Sequence, residues 1–323
     1  RLVGSEMCIR DRIIGPILSG ILIFVVSIHH YPQRLKFTLG LDVLRQIFSY
    51  SAYQFLFNII NYFSRNLDKL LIGKYMGMSP LGYYEKSYRL MMLPLQNITQ
   101  VITPVMHPIF SDYQNDLERL ASGYERIVRF LAFIGLPLSV LLYFTASEVT
   151  LIIFGDQWIP SIPIFQILTL SVGIQIILSS SGSIFQAAGD TKSLFVCGLF
   201  SSALNVTGIL LGIFWIGTLE AVASCITLTF TVNFIQCYWI MYQVTLHRSL
   251  RNFVAQLISP FVISILLTAV LYPLSLLTEG GNIFLTLIVK SIIFFIIFGC
   301  YIQLTGEYDI IGKARSIINK NKE

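Results

Sequence analysis

The chain is a succession of apolar runs, each about as long as a bilayer is thick. Nine windows, at 13–31, 47–72, 81–110, 127–146, 162–186, 194–214, 218–242, 253–277 and 283–304, follow one another with short connections. A transmembrane helix consumes about 20 such residues. Inside hydrocarbon every backbone N–H and C=O must be satisfied by the protein itself, which leaves helices and closed barrels. The runs are continuous rather than alternating, so they predict helices. Only 12% of the 323 residues are charged and 55% are hydrophobic, against roughly a quarter charged in a soluble domain. The expected class is all-α, a polytopic transmembrane bundle of about nine spans. No connection is long enough to fold as a soluble domain. Pro94, Pro104 and Pro108 in the third window predict a kinked helix there.

Orientation follows from Lys and Arg, which favour the cytoplasmic side. Odd-numbered connections and the tail hold thirteen, among them Arg34, Lys36, Arg45, Arg119, Arg126, Arg129, Lys192, Arg248, Arg251 and Lys313, whereas the other side holds only Lys74, Lys86 and Arg89. That asymmetry predicts a cytoplasmic C-terminus and a first span that begins outside, as in a chain following an odd number of earlier crossings. The net charge of +5 is a topology signal of this kind and does not point to nucleic acid. Residues 1–12, RLVGSEMCIRDR, lack the apolar core of a signal peptide and look like translated sequencing-adapter read-through, so they are expected to be foreign. Cys197, Cys225, Cys237 and Cys300 lie inside apolar runs without metal-type spacing and are expected to pack as small hydrophobes.

Polar residues are few and periodic. In the second span Gln54, Asn58, Asn61, Arg65 and Asp68 recur at steps of 4, 3, 4 and 3, with Lys69 at the edge of the same face. At 1.5 Å per residue this stripe is about 21 Å long, most of the hydrocarbon depth. A charged side chain at a span centre costs about 2.5–3.5 kcal/mol on insertion scales, so such a face needs partners or water. The third span repeats the device with Glu85, Arg89, Gln96, Gln100, Thr103 and His107. Weaker stripes are Gln175, Ser179, Ser183 and Gln186 in the fifth span and Thr229, Asn233, Gln236 and Gln243 in the seventh. The stripes together could enclose a hydrophilic cavity; the amide and hydroxyl stripes could equally serve interhelical hydrogen bonding, and Arg65 could simply neutralise Asp68. Lys290, inside the ninth span, could snorkel or meet a neighbouring helix.

No paired-carboxylate motif, His and Cys cluster of metal spacing or glycine-rich phosphate loop is visible. The reading is therefore of a protein that is not an enzyme, with no catalytic residues, metal or cofactor, and that moves something through the membrane.

The segment 65–94, RNLDKLLIGKYMGMSPLGYYEKSYRLMMLP, strongly resembles the bacterial polysaccharide transporter family of oligosaccharide flippases. That family lies in the superfamily that also holds lipid II flippases and multidrug exporters. Supporting matches are VITPVMHPIFSDYQND at 101–116, IIFGDQWIPSIPIFQIL at 152–168 and QAAGDTK at 186–192. The resemblance implies fourteen helices in two six-helix lobes plus a C-terminal pair. Residues 13–31 would then be the last helix of the N-terminal lobe, 47–242 the C-terminal lobe, 253–304 the additional pair and 305–323 a cytoplasmic tail. The chain would thus be the C-terminal part of a longer transporter. The implied activity is flipping of undecaprenyl-pyrophosphate-linked oligosaccharide across the bacterial cytoplasmic membrane for cell-surface polysaccharide such as O-antigen, lipopolysaccharide or exopolysaccharide. Implied partners are the lipid-linked oligosaccharide, membrane lipids and other glycan-assembly proteins. On that reading Arg65 and Arg89, assisted by Lys69, attract the pyrophosphate, and Gln54, Asn58, Asn61, Gln96 and Gln100 line the glycan path. Asp68 or Glu220 would serve ion coupling. The alternatives are a lipid II or small-molecule exporter of the same superfamily and, from another class, a membrane glycan polymerase or ligase.

Overall fold

The computed structural model describes residues 3–30, 41–111, 116–278 and 280–305. Residues 1–48 and 49–323 form two separate compact units. The first contains α1 (Val3–His30) and the start of α2 (Leu41–Tyr75). The second holds the rest of α2 and α3 (Met78–Ser111), α4 (Leu117–Phe144), α5 (Ala146–Phe154), a 3₁₀ turn (Asp156–Trp158), α6 (Ser161–Thr169), α7 (Val172–Leu178) and α8 (Ser181–Ala187). It continues with α9 (Thr191–Leu211), α10 (Leu219–Ile240), α11 (Leu250–Leu277) and α12 (Ile283–Thr305). Among the described residues the regular structure is entirely helical.

Helices start where a polar side chain can take an unsatisfied first-turn amide. Asp116 accepts from the Arg119 amide and Asp190 from that of Ser193, both at 3.0 Å; Thr218 accepts from Ala221 at 3.2 Å. The Asp190 carboxyl also accepts from the Thr245 hydroxyl at 2.7 Å, which ties the α8–α9 corner to the end of α10. α9 and α10 each close through a wider helical turn, at Gly212–Ile216 and Met241–Thr245.

Among the described residues five helices are long and apolar enough to cross a membrane: α4, α9 with its terminal turn, α10 with its terminal turn, α11 and α12. A sixth crossing is broken, with Ser161–Thr169 bent by 45° against Val172–Ala187. The chain is a multi-pass membrane protein. The remaining three windows fall on α1, whose apolar stretch is the short Ile17–His29, and on α2 and α3, which are 35 and 34 residues long but carry the polar stripes. Length and apolarity thus support six of the nine expected spans. α3 runs through Pro94 as one helix.

The break in the fifth span falls at hydroxyl residues. Thr169 and Ser171 turn their hydroxyls back to the carbonyls of Gln166 and Leu168, each at 2.7 Å, and Ser179, Ser180 and Ser181 do the same to residues three before them. Side chains that offer the backbone local hydrogen bonds weaken a helix ladder. The amide of Gly173, just past the break, donates instead to Ser139 Oγ of α4 at 2.7 Å. This bond needs contact between backbones: a Cβ on Gly173 would sit 2.9 Å from the Gly135 carbonyl and the Leu136 Cα. Small residues at such crossings let helices approach where lipid offers little hydrophobic drive between them.

The main core runs from Tyr84 and Met91 of α3 through Tyr124 and Val128 of α4 and Phe165, Ile176 and Phe185 of the broken span to Val222 and Tyr238 of α10. A second cluster joins Phe133 of α4 to Ile263, Leu267 and Leu271 of α11 and Phe294 of α12.

Candidate functional site

α2 and α3 form a hairpin whose reversal is at Gly77, with φ of 102°, a region that a residue without Cβ enters freely. The reversal brings residues sixteen apart side by side in two successive pairs. The Tyr84 hydroxyl donates to Asp68 Oδ2 at 2.7 Å, and Lys69 Nζ meets Glu85 Oε1 at 3.0 Å. Asp68 is 4% exposed, and its other oxygen accepts from the Lys69 amide at 2.7 Å. Its carboxylate is therefore committed to an aromatic hydroxyl and to backbone. Sequence periodicity missed Tyr84, because an aromatic on the apolar side of a helix reads as core.

The sides of α3 divide as the spacing predicts. Tyr84, Ser87, Met91 and Leu95 are buried, whereas Glu85, Arg89, Gln96, Asn97 and Gln100 are exposed. Arg89 makes no ion pair among the described residues; Glu85, one turn before it, is held by Lys69. On α2, Asn58 is exposed and Gln54 half-buried, with Gln54 Oε1 accepting from Gln186 of α8 at 3.1 Å. The stripes of the second and fifth spans thus touch. The side chains of Asn61, Arg65, Thr103 and His107 lie outside the described residues. Because Glu85, Arg89, Gln96 and Gln100 are all exposed, as is Asn58 of α2, α3 presents an open polar face in this chain rather than the wall of a closed chamber.

Apart from Gln186 and the exposed Gln243, the weaker stripes are spent on packing. Gln175 is buried and donates to Ser171 Oγ at 2.8 Å and to Met91 Sδ at 3.5 Å. Asn233 is buried, and Gln236 donates to Cys197 Sγ at 3.7 Å. Glu220 lies exposed in the first turn of α10, where a carboxylate complements the helix dipole. Lys290 does not snorkel: its ammonium donates to Glu148 of α5 and, at 2.8 Å, to the Phe144 carbonyl where α4 ends. Glu148 had no periodic signal, standing alone in its run. Three or more His, Cys, Asp or Glu do not converge on a possible metal site among the described residues.

Residues 12–163 match the family described as "Polysaccharide biosynthesis protein". The chain is similar to the teichuronic acid biosynthesis protein TuaB of Bacillus subtilis (strain 168), 24% identical over 83% of this chain and 56% of that protein. It is also similar to the lipopolysaccharide biosynthesis protein WzxC of Escherichia coli (strain K12), 25% identical over 69% of this chain and 45% of that one. A third relative is the succinoglycan biosynthesis transport protein ExoT of Rhizobium meliloti (strain 1021), 25% identical over 56% of this chain. The chain spans about half the length of the first two relatives. In fold it follows the lipid II flippase MurJ in an inward closed conformation, with a TM-score of 0.64 at 14% identity over 89% of this chain and 60% of that one. The chain is thus similar in sequence to these polysaccharide biosynthesis proteins over about half their length, and it shares its fold with the flippase.

Proposed function

We propose that the protein moves a lipid-linked oligosaccharide across the cytoplasmic membrane during assembly of a cell-surface or exported polysaccharide, with its C-terminus in the cytoplasm. The names of the relatives support the polysaccharide assignment, one of them naming transport, and the excess of Lys and Arg on one side supports the orientation. The observation that carries the reading is the exposed polar face of α3, with Arg89 on it, in a chain otherwise built to meet lipid.

The substrate problem has two parts. A polar glycan and a pyrophosphate must pass through about 30 Å of hydrocarbon while a polyprenyl tail stays in lipid. Gln54, Asn58, Asn61, Gln96 and Gln100 offer amides that both donate and accept, as sugar hydroxyls require. Arg89 and Arg65 supply the positive charge for the phosphates, and a guanidinium grips phosphate oxygens through two parallel bonds. Lys69, paired with Glu85, contributes a neutralised charge, so its assistance is smaller than its position suggests. Asp68, already accepting two hydrogen bonds, shapes the hairpin and holds Lys69 in register.

Replacing Arg89 with alanine removes charge-assisted hydrogen bonds of about 2 kcal/mol, or about 30-fold in affinity. Binding of a synthetic polyprenyl pyrophosphate to purified protein in nanodiscs measures this directly. Arg89→Lys should recover part of the loss, since the charge returns without the fork. Unchanged affinity in the alanine variant would remove Arg89 from the substrate path.

A further inference from the structure

At the start of α4 lies a buried acidic group that neither polar stripe uses. Glu125 is 9% exposed, and its Oε1 is buried without a hydrogen-bond partner. The groups facing it are the Tyr242 hydroxyl, on the closing turn of α10, and the Arg248 guanidinium, on the link to α11. The Tyr242 hydroxyl is likewise buried, and it faces the Glu125 carboxyl without a hydrogen bond of ordinary length. Arg248 is turned away to Glu118, seven residues before Glu125 on the same helix, with Nη2 to Oε1 at 2.7 Å. Its partner there is a side chain 81% exposed, so a guanidinium only 27% exposed pairs with a solvated carboxylate beside a buried one left without its ion pair.

The surroundings hold few other charges. On α4, Arg126 is exposed and Arg129 half-buried; from the α10–α11 link His247 and Arg251 are exposed. Asp190 reaches Thr245 from the α8–α9 corner. α11 presents Phe253, stacked on Tyr238 at 4.1 Å between ring centres. Beside Glu125, the Tyr124 hydroxyl bonds Ser180 Oγ at 2.9 Å and the Tyr238 hydroxyl at 2.8 Å, and Tyr238 donates to the Ile177 carbonyl at 3.0 Å. That chain is closed, so it cannot turn to neutralise Glu125.

An ionised carboxylate buried without its counterion is costly, and the group avoids the cost by taking a proton or by capturing a cation. A metal ion is poorly served here. Hard cations take six or more oxygens, whereas this site offers a carboxyl and a phenol with a guanidinium at hand. We infer that Glu125 is a proton-binding site whose occupancy decides which carboxylate Arg248 pairs with. Protonated Glu125 releases Arg248 to Glu118, the arrangement seen here. Ionised Glu125 recruits Arg248 inward, and the α10–α11 link moves with it. His247 in the link has φ of 51°, a left-handed conformation that side chains with a Cβ adopt rarely.

This deepens the transport reading, on which only its link to substrate movement rests. Asp68 already has two donors, Glu148 is paired with Lys290 and Glu220 is exposed, so among the described residues Glu125 is the buried carboxyl without an ion pair that is left to bind a coupling proton.

The test does not require transport. Infrared difference spectra of the purified protein, taken through a pH titration, should show a protonated-carboxyl C=O band that is lost as pH rises and is absent from Glu125→Gln. Glu118→Gln, an exposed substitution, removes the competing partner of Arg248 and should shift the midpoint of that band to lower pH. A band missing from the native protein, or one unchanged in Glu125→Gln, overturns the proton site. A midpoint unmoved in Glu118→Gln overturns the exchange of Arg248.

Discussion

Two lysine–glutamate pairs of the same chemistry sit in opposite surroundings. Lys69 and Glu85 join α2 to α3 with side chains 36% and 53% exposed; Lys290 and Glu148 join α12 to α5 with side chains 5% and 9% exposed. In the first pair each charge keeps much of its water, so the attraction is screened and breaking it strands nothing. In the second, water has been exchanged for a single counterion and the Phe144 carbonyl, and Glu148 Oε2 is left without a partner. The buried pair therefore holds the last helix to the bundle by the penalty of separating it, more than by net attraction.

That difference predicts the largest effect. Lys290→Ala leaves Glu148 buried and alone, which should cost about 3–5 kcal/mol and show as a lowered unfolding temperature in detergent. Replacing both residues with apolar side chains of similar volume, Lys290→Met with Glu148→Leu, should restore most of the loss. A single variant as stable as the native protein would mean that water reaches the pair.

A half-buried carboxylate between these extremes sharpens the scale. Burial alone would raise Asp190, but hydrogen bonds from Ser193 and Thr245 outweigh it and hold the carboxyl below its ordinary value of 3.8. A depressed acid contributes stability above its unfolded value and loses it as pH falls through the folded one. Asp190→Asn keeps an N-cap acceptor and should match the native protein near neutrality, then lose less stability than the native protein as the medium is acidified below that range. Asp190→Ala removes the cap and should cost about 1 kcal/mol at neutral pH. Acid titration of helical circular dichroism for the three proteins measures both.

How much was legible follows the same division between local and distant. The polar face of α3 was readable because a period of 3.6 is a local property, and Glu85, Arg89, Gln96 and Gln100 share one exposed side as their spacing requires, whereas Asp68 of the α2 stripe is buried. The break in the fifth span was present as Thr169, Ser171 and the serines at 179–181, but hydroxyls that serve a cavity and hydroxyls that cap carbonyls look alike in sequence. Tyr84 was hidden by being aromatic on an apolar side. Glu148 and Lys290 are 142 residues apart, and nothing local marks one as the other's partner. Lys69 was read as assisting the arginines, with its partner unnamed, for the same reason: its neutralisation by Glu85 depends on the hairpin register, which the spacing within either helix does not contain.

The smallest expected effect is at the exposed pair, and it separates stability from binding. Lys69→Ala or Glu85→Gln should each change stability by less than about 1 kcal/mol, the usual range for solvated pairs. They should act on an anionic ligand in opposite directions. Lys69→Ala leaves Glu85 uncompensated one turn from Arg89, so a pyrophosphate meets added repulsion. Glu85→Gln frees Lys69 and removes that carboxylate, so the ligand meets a second cation beside the guanidinium. Both shifts should be a few-fold and should shrink between low salt and about 0.15 M, where the screening length falls to about 8 Å. Measuring polyprenyl pyrophosphate affinity for the two variants at both salt concentrations tests this. Equal changes in the same direction would mean that the pair braces the hairpin instead of balancing charge on the α3 face, and a stability loss as large as that of Lys290→Ala would erase the contrast between the two pairs.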